Sequence, residues 1–424
     1  MQDRAFMIEL SLEHPTMRQV QFGTLHLPAT NYEIRDVLQR MRATRDMLLP
    51  REYTIYNCEI VPQLNELHLN SATVDELNFF AKRLLSLNDD ERNILRGVAS
   101  KKVLSEEGEA ITIQDLINMT YGTGTVSVIS NVGNDEQLGA FVIESELQED
   151  VSSVPENATY LLDKEKIGRL QRKLDGGVYV GNLYVCTEHF EMPKVYDGVT
   201  LPEVEPEEWF VFRLLVVKAT KGNDVAADSA EWIRLPMTPY EMDFFAKQHN
   251  GLQLKNCVCC DFESSVPQIT SETFASMKDI EKLNDIAWRL SGMSPEEQTK
   301  FKAILESQKE EGLTVEGVDH VAKNLHRYEF SAASDTPGAF FKEYLLKHMD
   351  SRFDPEWLDT IMSFREGNEL LSRLGAKMTD YGVVSSYGGS LFQLMPYQQE
   401  QVQAEQSEAP EDDMDEDTGI TLQM

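Results

Sequence analysis

Basic residues are scarce in this chain: 39 Lys and Arg stand against 72 Asp and Glu, a formal net charge of −33 over 424 residues. This imbalance argues against binding to nucleic acid or to an anionic membrane surface, and it favours basic partners, including the grooves in which other proteins hold DNA. The alternative interpretation is that the acids serve solubility alone. Long apolar runs are also missing, so we expect no membrane span. The charged N-terminal stretch is not typical of a signal peptide.

Cysteine is rare too, and the five cysteines are poorly spaced for a disulfide framework, which favours a reducing cytoplasm. Cys257, Cys259 and Cys260 form the one metal-like cluster, but no second Cys or His pair follows nearby. Alternation along a strand puts Cys257 and Cys259 on one face, so buried strand cysteines are favoured over a metal site. The remaining cysteines are Cys58 and Cys186.

Catalytic motifs are missing as well. The sequence contains no nucleophile elbow, no phosphate-binding Walker loop and no dinucleotide-binding glycine loop after a strand. Paired carboxylates are abundant, but among 72 acids such pairs arise by chance and do not indicate a hydrolase. We therefore expect no enzymatic activity and no cofactor.

An internal repeat is the main positive feature. The segment Leu27–Glu33 (LPATNYE) recurs as Leu235–Glu241 (LPMTPYE), Asn57-Cys58 recurs as Asn256-Cys257, and Leu77–Leu84 recurs as Leu283–Leu290. The offsets of about 200 residues stay in order, which indicates a duplication with small loop changes.

Both copies predict the same succession of elements. A strand (Gln21–Leu27 or Glu231–Leu235) runs into a helix that a Thr and a Glu three residues later cap. A second strand (Tyr53–Val61 or Leu252–Phe262) follows. Next come an amphipathic helix, a second helix that opens with acidic residues, and a short third helix. The third helix is expected at Ile113–Met119 and at Val315–Leu325. The pattern predicts an α+β fold, an elongated string of small α+β domains with an internal duplication.

The other segments have weaker signals. Gly124–Glu144 and Tyr160–Cys186 are interpreted as short strands with Gly and Asn turns, although Lys164–Lys173 is basic and has some helical character. Near the end we expect two helices and a hairpin, at Gly338–Met349, Pro355–Arg373 and Tyr381–Leu394. Four regions result: a first module (1–145), a connecting β-rich region (146–205), a second module with a C-terminal helix and hairpin domain (206–395), and an acidic disordered tail (396–424).

This order of elements resembles that of the ArdA-type antirestriction proteins. The match covers most of residues 20–145 and 206–395, and it includes Phe340–Tyr344, Trp357-Leu358 and Phe364–Gly375 near the end of the chain. The resemblance implies an elongated acidic protein that imitates bent B-form DNA and occupies the DNA channel of type I restriction–modification enzymes. It also implies that the candidate segment for self-association and antirestriction contains Trp357, Leu358, Phe364, Leu370 and Leu371. Two modules in one chain would make a monomeric pseudo-dimer, and a homodimer stays open.

The leading hypothesis is a non-enzymatic, cytoplasmic DNA mimic that inhibits a defence nuclease, foremost type I restriction–modification, through its basic groove. The alternatives are an acidic interaction module of a mobile element without mimicry, or an inhibitor of another nuclease such as a CRISPR effector. The candidate phosphate surrogates are Asp89, Asp90, Glu91, Glu144, Glu146, Glu149, Asp150, Glu203, Glu205, Glu207, Glu208, Glu296 and Glu297. The alternative interpretation of these acids is purely structural: they cap helices or lie in solvated loops.

Overall fold

A computed structural model describes most of the chain and divides it into two compact units, Met1–Phe210 and Val211–Met424. The residues it describes are 4–13, 20–48, 50–103, 111–187, 190–202, 209–218, 230–273, 279–332, 334–348 and 363–385. Thirteen α-helices and four small antiparallel sheets lie in these ranges. The predicted α+β class is confirmed, and each unit has its own core.

The first unit begins with a four-stranded sheet in the order β2-β1-β3-β4, backed by helix α1. Its elements are β1 (Phe6–Glu13), β2 (Val20–Leu27), α1 (Asn31–Arg40), β3 (Arg51–Tyr56) and β4 (His68–Ala72). The strand expected at Tyr53–Val61 ends at Tyr56, because Asn57 takes a positive φ of 54° and turns the chain. Apolar side chains on one face of the sheet, such as Ile8, Leu10 and Ile55, form the core with the helices that follow.

Three helices cover this core, and the sequence predicted all three, the first of them from its amphipathic spacing. They are α2 (Val74–Ser86), α3 (Asp89–Val103) and α4 (Ile113–Met119). Leu77, Phe80, Ala81 and Leu84 recur at helical spacing along α2 and are fully buried, which is the pattern of a helix with one apolar face. The bounds of α4 agree with those expected from its Thr112 cap and apolar residues.

The first unit ends in a three-stranded sheet of order β5-β7-β6 with a pair of packed helices. The elements are β5 (Ser127–Ser130), α5 (Asp135–Glu144), α6 (Glu149–Ser152), α7 (Lys164–Asp175), β6 (Val178–Val180) and β7 (Leu183–Cys186). The interpretation of Gly124–Glu144 as strands was wrong for residues 135–144, which are helical. Likewise, residues 164–175 are a helix and not part of a strand region.

The second unit opens on a three-stranded sheet of order β10-β8-β9 and four helices. They are β8 (Phe212–Lys218), β9 (Glu231–Leu235), α8 (Pro239–Gln248), β10 (Cys257–Ser264), α9 (Asp279–Ser291), α10 (Pro295–Ser307) and α11 (Val315–Lys323). The strand expected at Leu252–Phe262 begins later, at Cys257, after a short 3-10 turn. Phe212, Leu235, Phe301 and Tyr381 are fully buried in the core of this unit.

A second small sheet closes this unit in the order β11-β13-β12, with two helices against it. The elements are β11 (Phe330–Ser331), α12 (Pro337–His348), α13 (Ser363–Arg373), β12 (Ala376–Thr379) and β13 (Gly382–Ser385). The expected hairpin begins earlier than Tyr381, because β12 pairs with β13 and the turn between them holds Asp380 and Tyr381. Residues 355–362 and 386–394 of the expected elements lie outside the described residues.

Two asparagines make the same backbone contact in both units. Asn78 accepts a hydrogen bond from the N–H of Ala29 at 2.6 Å and donates to its carbonyl at 2.9 Å. Asn284 accepts from the N–H of Met237 at 2.7 Å and donates to its carbonyl at 3.1 Å. Each side chain thereby satisfies both polar groups of the residue just before a helix N-cap. The duplication itself remains a prediction.

Within the described part of the chain, no helix is both long and apolar enough to span a membrane.

Helices α5 and α7 cross at two glycines, which generates a test of the first unit. A Cβ built on Gly139 would lie 1.8 Å from the carbonyl oxygen of Lys164, and one on Gly168 would lie 1.8 Å from that of Asp135. We expect Gly139→Ala and Gly168→Ala each to lower the free energy of unfolding by about 1–3 kcal/mol, because the helices must move apart. Gly124→Ala is the control, since no atom lies within 4 Å of the position that its methyl carbon would take. Urea denaturation that ranks all three variants equally would contradict the close crossing.

Candidate acidic interface

Two of the predicted acids are helix caps. The N–H of Glu91 donates to Oδ1 of Asn88 at 3.0 Å, and the N–H of Asn88 donates to Oε2 of Glu91 at 2.8 Å. Ser294 and Glu297 make the same reciprocal pair at the start of α10, at 3.2 and 2.8 Å. These contacts satisfy N–H groups that the first helical turn leaves without partners. Both carboxylates therefore have a structural role.

The other acids of these two turns face solvent. Asp89 and Asp90 are exposed, and the Asp89 side chain retains 94% of its surface although it lies 3.5 Å from Arg92. Glu296 is exposed as well. The capping acid of each turn thus holds its helix end, while the remaining three carboxylates present charge outward.

A second acidic group follows α5. Glu144 is the last residue of α5, Glu146 lies in the connecting turn, and Glu149 and Asp150 form the first turn of α6. All four side chains are exposed. Among the residues that the structure describes, none of these four carboxylates forms an ion pair. This run, which we call the α5–α6 acidic group, is the densest cluster of uncompensated charge among the described candidate acids.

Four described arginines among the first sixty residues make contacts inside their own unit. Arg4, Arg40 and Arg45 each pair with a carboxylate, the latter two at 3.0 and 3.1 Å, whereas Arg51 donates to two backbone carbonyls. Their partners are Glu33, Asp36 and Asp75 for the three ion pairs, and Ser11 and Met47 for the carbonyls. Three of these four arginines are therefore paired with a carboxylate of their own unit, and none of those carboxylates is a candidate acid.

The basic helix α7 is compensated by an acid that the sequence did not single out. Asp135 accepts hydrogen bonds from Arg172 at 2.8 and 3.2 Å and from the hydroxyl of Tyr179 at 2.8 Å, and Arg169 lies 3.8 Å away. The hydrogen bonds from Arg172 are the main reason that the pKa of Asp135 is held below its ordinary value. The sequence could have marked Asp135 as an acid in the first turn of a helix, because it directly follows the capping residue Asn134. It could not show the ion pair, because Arg172 lies 37 residues further along the chain.

The cysteine cluster lies along β10 with mixed exposure. Cys257 is buried, Cys259 is half-buried and Cys260 is exposed, and a bulge shifts the register between Cys259 and Asp261. Burial raises the pKa of the Cys257 and Cys259 thiols to about 11, so both are protonated at neutral pH. In the described ranges, no group of three or more Cys, His, Asp or Glu side chains is arranged to hold a metal ion.

The remaining candidates are either buried or outside the described residues. Leu370 and Leu371 of α13 are 6% and 7% exposed and pack in a small core with Phe340 and Tyr344. They contribute to the interior of the second unit and not to a free surface. The candidates outside the described residues are Glu203, Glu205, Glu207, Glu208, Trp357 and Leu358. Phe364 lies in α13, but its side chain is not described either.

No protein-family profile matches this chain, and no curated protein matches it either.

Substitution of Asp135 tests the compensation of α7. We expect Asp135→Asn to lower the free energy of unfolding at pH 7 by about 1–3 kcal/mol, because the hydrogen bonds from Arg172 lose their charged acceptor. The folded pKa of Asp135 is lowered, so its contribution is present above about pH 4, the value for an unfolded Asp. It is lost as pH falls through the lower folded pKa.

Chemical denaturation at pH 7 and at acid pH measures this difference. The control is Glu136→Gln, which removes one exposed charge from the same helical turn. A wild-type-like Asp135→Asn at pH 7, or a deficit that grows as the solution is acidified, would contradict the assignment.

Proposed function

We propose that this protein is a non-enzymatic, cytoplasmic DNA mimic of the ArdA type. It inhibits a defence nuclease, foremost a type I restriction–modification enzyme, by occupying the basic groove that holds DNA. The resemblance of the element order to ArdA-type proteins supplies the target class, and the acidic surface supplies the mechanism. The two units act as a built-in pseudo-dimer.

One observation carries the proposal: the α5–α6 acidic group is exposed and forms no ion pair among the described residues, whereas four arginines are paired with other acids. Arg4, Arg40, Arg45 and Arg172 are each bound to an acid of their own unit.

The physical basis is the release of counterions. A nuclease groove lined with Lys and Arg binds DNA because each phosphate contact releases condensed ions into the solution. Exposed carboxylates fixed on helix ends offer the same negative charge without sequence information. Because Asp89, Asp90 and Glu296 sit beside capped helix starts, their backbone positions are already fixed, and little conformational entropy is lost on binding.

Neutralisation of the α5–α6 acidic group tests the proposal. The variant carries Glu144→Gln, Glu146→Gln, Glu149→Gln and Asp150→Asn, which remove four charges with little change in shape. We expect the concentration that half-inhibits DNA cleavage by a purified type I restriction enzyme to rise on the order of tenfold or more, because several ion-releasing contacts are lost.

The matched control removes four exposed acids of the second unit through Asp243→Asn, Glu272→Gln, Glu281→Gln and Asp285→Asn. Its net charge equals that of the test variant, so a smaller effect of the control assigns inhibition to the α5–α6 acidic group and not to total charge. Full inhibition by the test variant, with both variants folded by circular dichroism, would favour the simple interaction module. Failure of the wild-type chain to inhibit any DNA-cleaving enzyme would reject mimicry altogether.

A further inference from the structure

Three aromatic side chains of the second unit are exposed around the start of α8. Tyr240 is 77% exposed, Phe244 is 52% exposed and Trp288 is 47% exposed. Tyr240 and Phe244 lie four residues apart, on one face of α8. The indole N–H of Trp288 donates to the carbonyl of Met237 at 3.2 Å, which holds its ring beside the beginning of that helix. We call these three residues the aromatic surface.

The first unit shows how the same place on its own helix is covered. The repeat aligns Tyr32 of α1 with Tyr240, because both follow a capping Thr by two residues. In the first unit, the N–H of Phe210 donates to the hydroxyl of Tyr32 at 2.8 Å, and the two rings pack with centroids 5.4 Å apart. The backbone and the ring of Phe210 therefore both contact Tyr32.

The next helical turn shows the same contrast. Asp36 of α1 aligns with Phe244, and Asp36 is 4% exposed and pairs with Arg40 at 3.0 Å. A polar residue is thus buried in the first unit, where its counterpart in the second unit is a half-exposed phenylalanine. Lys82, which aligns with Trp288, is polar and exposed. At these two aligned positions the second unit thus has exposed aromatic side chains where the first unit has polar ones.

We propose that the aromatic surface binds an extended peptide segment of a partner protein, one that presents an aromatic side chain next to a free backbone N–H. The Tyr240 hydroxyl accepts that N–H, as the Tyr32 hydroxyl does from Phe210. Tyr, Trp and Phe are enriched at protein interfaces, and Tyr and Trp are among the residues that most often dominate the binding energy. This site does not involve the α5–α6 acidic group and is independent of DNA mimicry.

Fluorescence anisotropy with a labelled peptide tests the site in the full chain. The probe is a synthetic peptide with the sequence of residues 206–213 (PEEWFVFR), which contains Phe210, the residue that packs on Tyr32. We expect Tyr240→Ala and Trp288→Ala each to weaken binding about tenfold or more, since both remove central aromatic contacts. Tyr160→Ala removes an aromatic residue that is 79% exposed in the first unit and should leave binding unchanged. A peptide in which alanines replace Trp209 and Phe210 should not bind.

Photo-crosslinking in the same full-length protein distinguishes an added peptide from a segment of the chain itself as the occupant of the site. A photoreactive phenylalanine analogue at position 244 should crosslink to the added peptide, and mass spectrometry should locate the bond at the peptide's aromatic residues. A crosslink to residues 386–424 of the same chain, or a covalent dimer of two copies, would overturn the partner assignment. Absent peptide binding, or binding that Tyr240→Ala and Tyr160→Ala affect equally, would overturn the site itself.

Discussion

Local compensation of cations is the constraint on which the rest of the structure depends. A chain with a net charge of −33 repels itself, and net charge far from zero destabilises a compact state. Ion pairs at short range reduce this repulsion, such as those of Arg40 with Asp36 and of Arg172 with Asp135. The Arg172–Asp135 pair joins α7 to α5 and helps to hold these helices together, whereas the Arg40–Asp36 pair lies within α1. The exposed candidate carboxylates take no part in either pair.

The backbone contacts that carry these acids recur along the chain. A Thr or Ser and a Glu three residues later cap α1, α2, α8 and α10, and Asn78 and Asn284 secure the residue that precedes the cap of α1 or α8. Caps of this kind fix helix ends through backbone hydrogen bonds and need no apolar burial. The caps also determine which acids remain free of backbone hydrogen bonds and can contact a partner. Glu91 and Glu297 are committed to helix ends, whereas the acids beside them are not.

Local signals made much of the fold predictable. The caps at Thr30 and Thr238 and the bounds of α4 depend on residues within a few positions of one another, so sequence alone was sufficient. Helix α5 was wrongly predicted as a strand region, because Asn134 is a residue type common in turns and Gly139 has low helix propensity. Only its close crossing with α7 at Gly168 explains that glycine. The same limit hid the role of Asp135, whose partners come from α7 and β6.

Mimicry of a polyanion has one direct signature, the dependence of inhibitor binding on salt. Binding of the purified chain to a type I restriction enzyme, measured by isothermal titration or surface plasmon resonance from about 50 to 200 mM salt, should weaken by about 10³-fold, the loss expected for the release of ions from roughly six or more charge contacts. Duplex DNA should displace the chain in the same range. Affinity that stays constant over this range of salt would contradict the claim that exposed carboxylates stand in for phosphates.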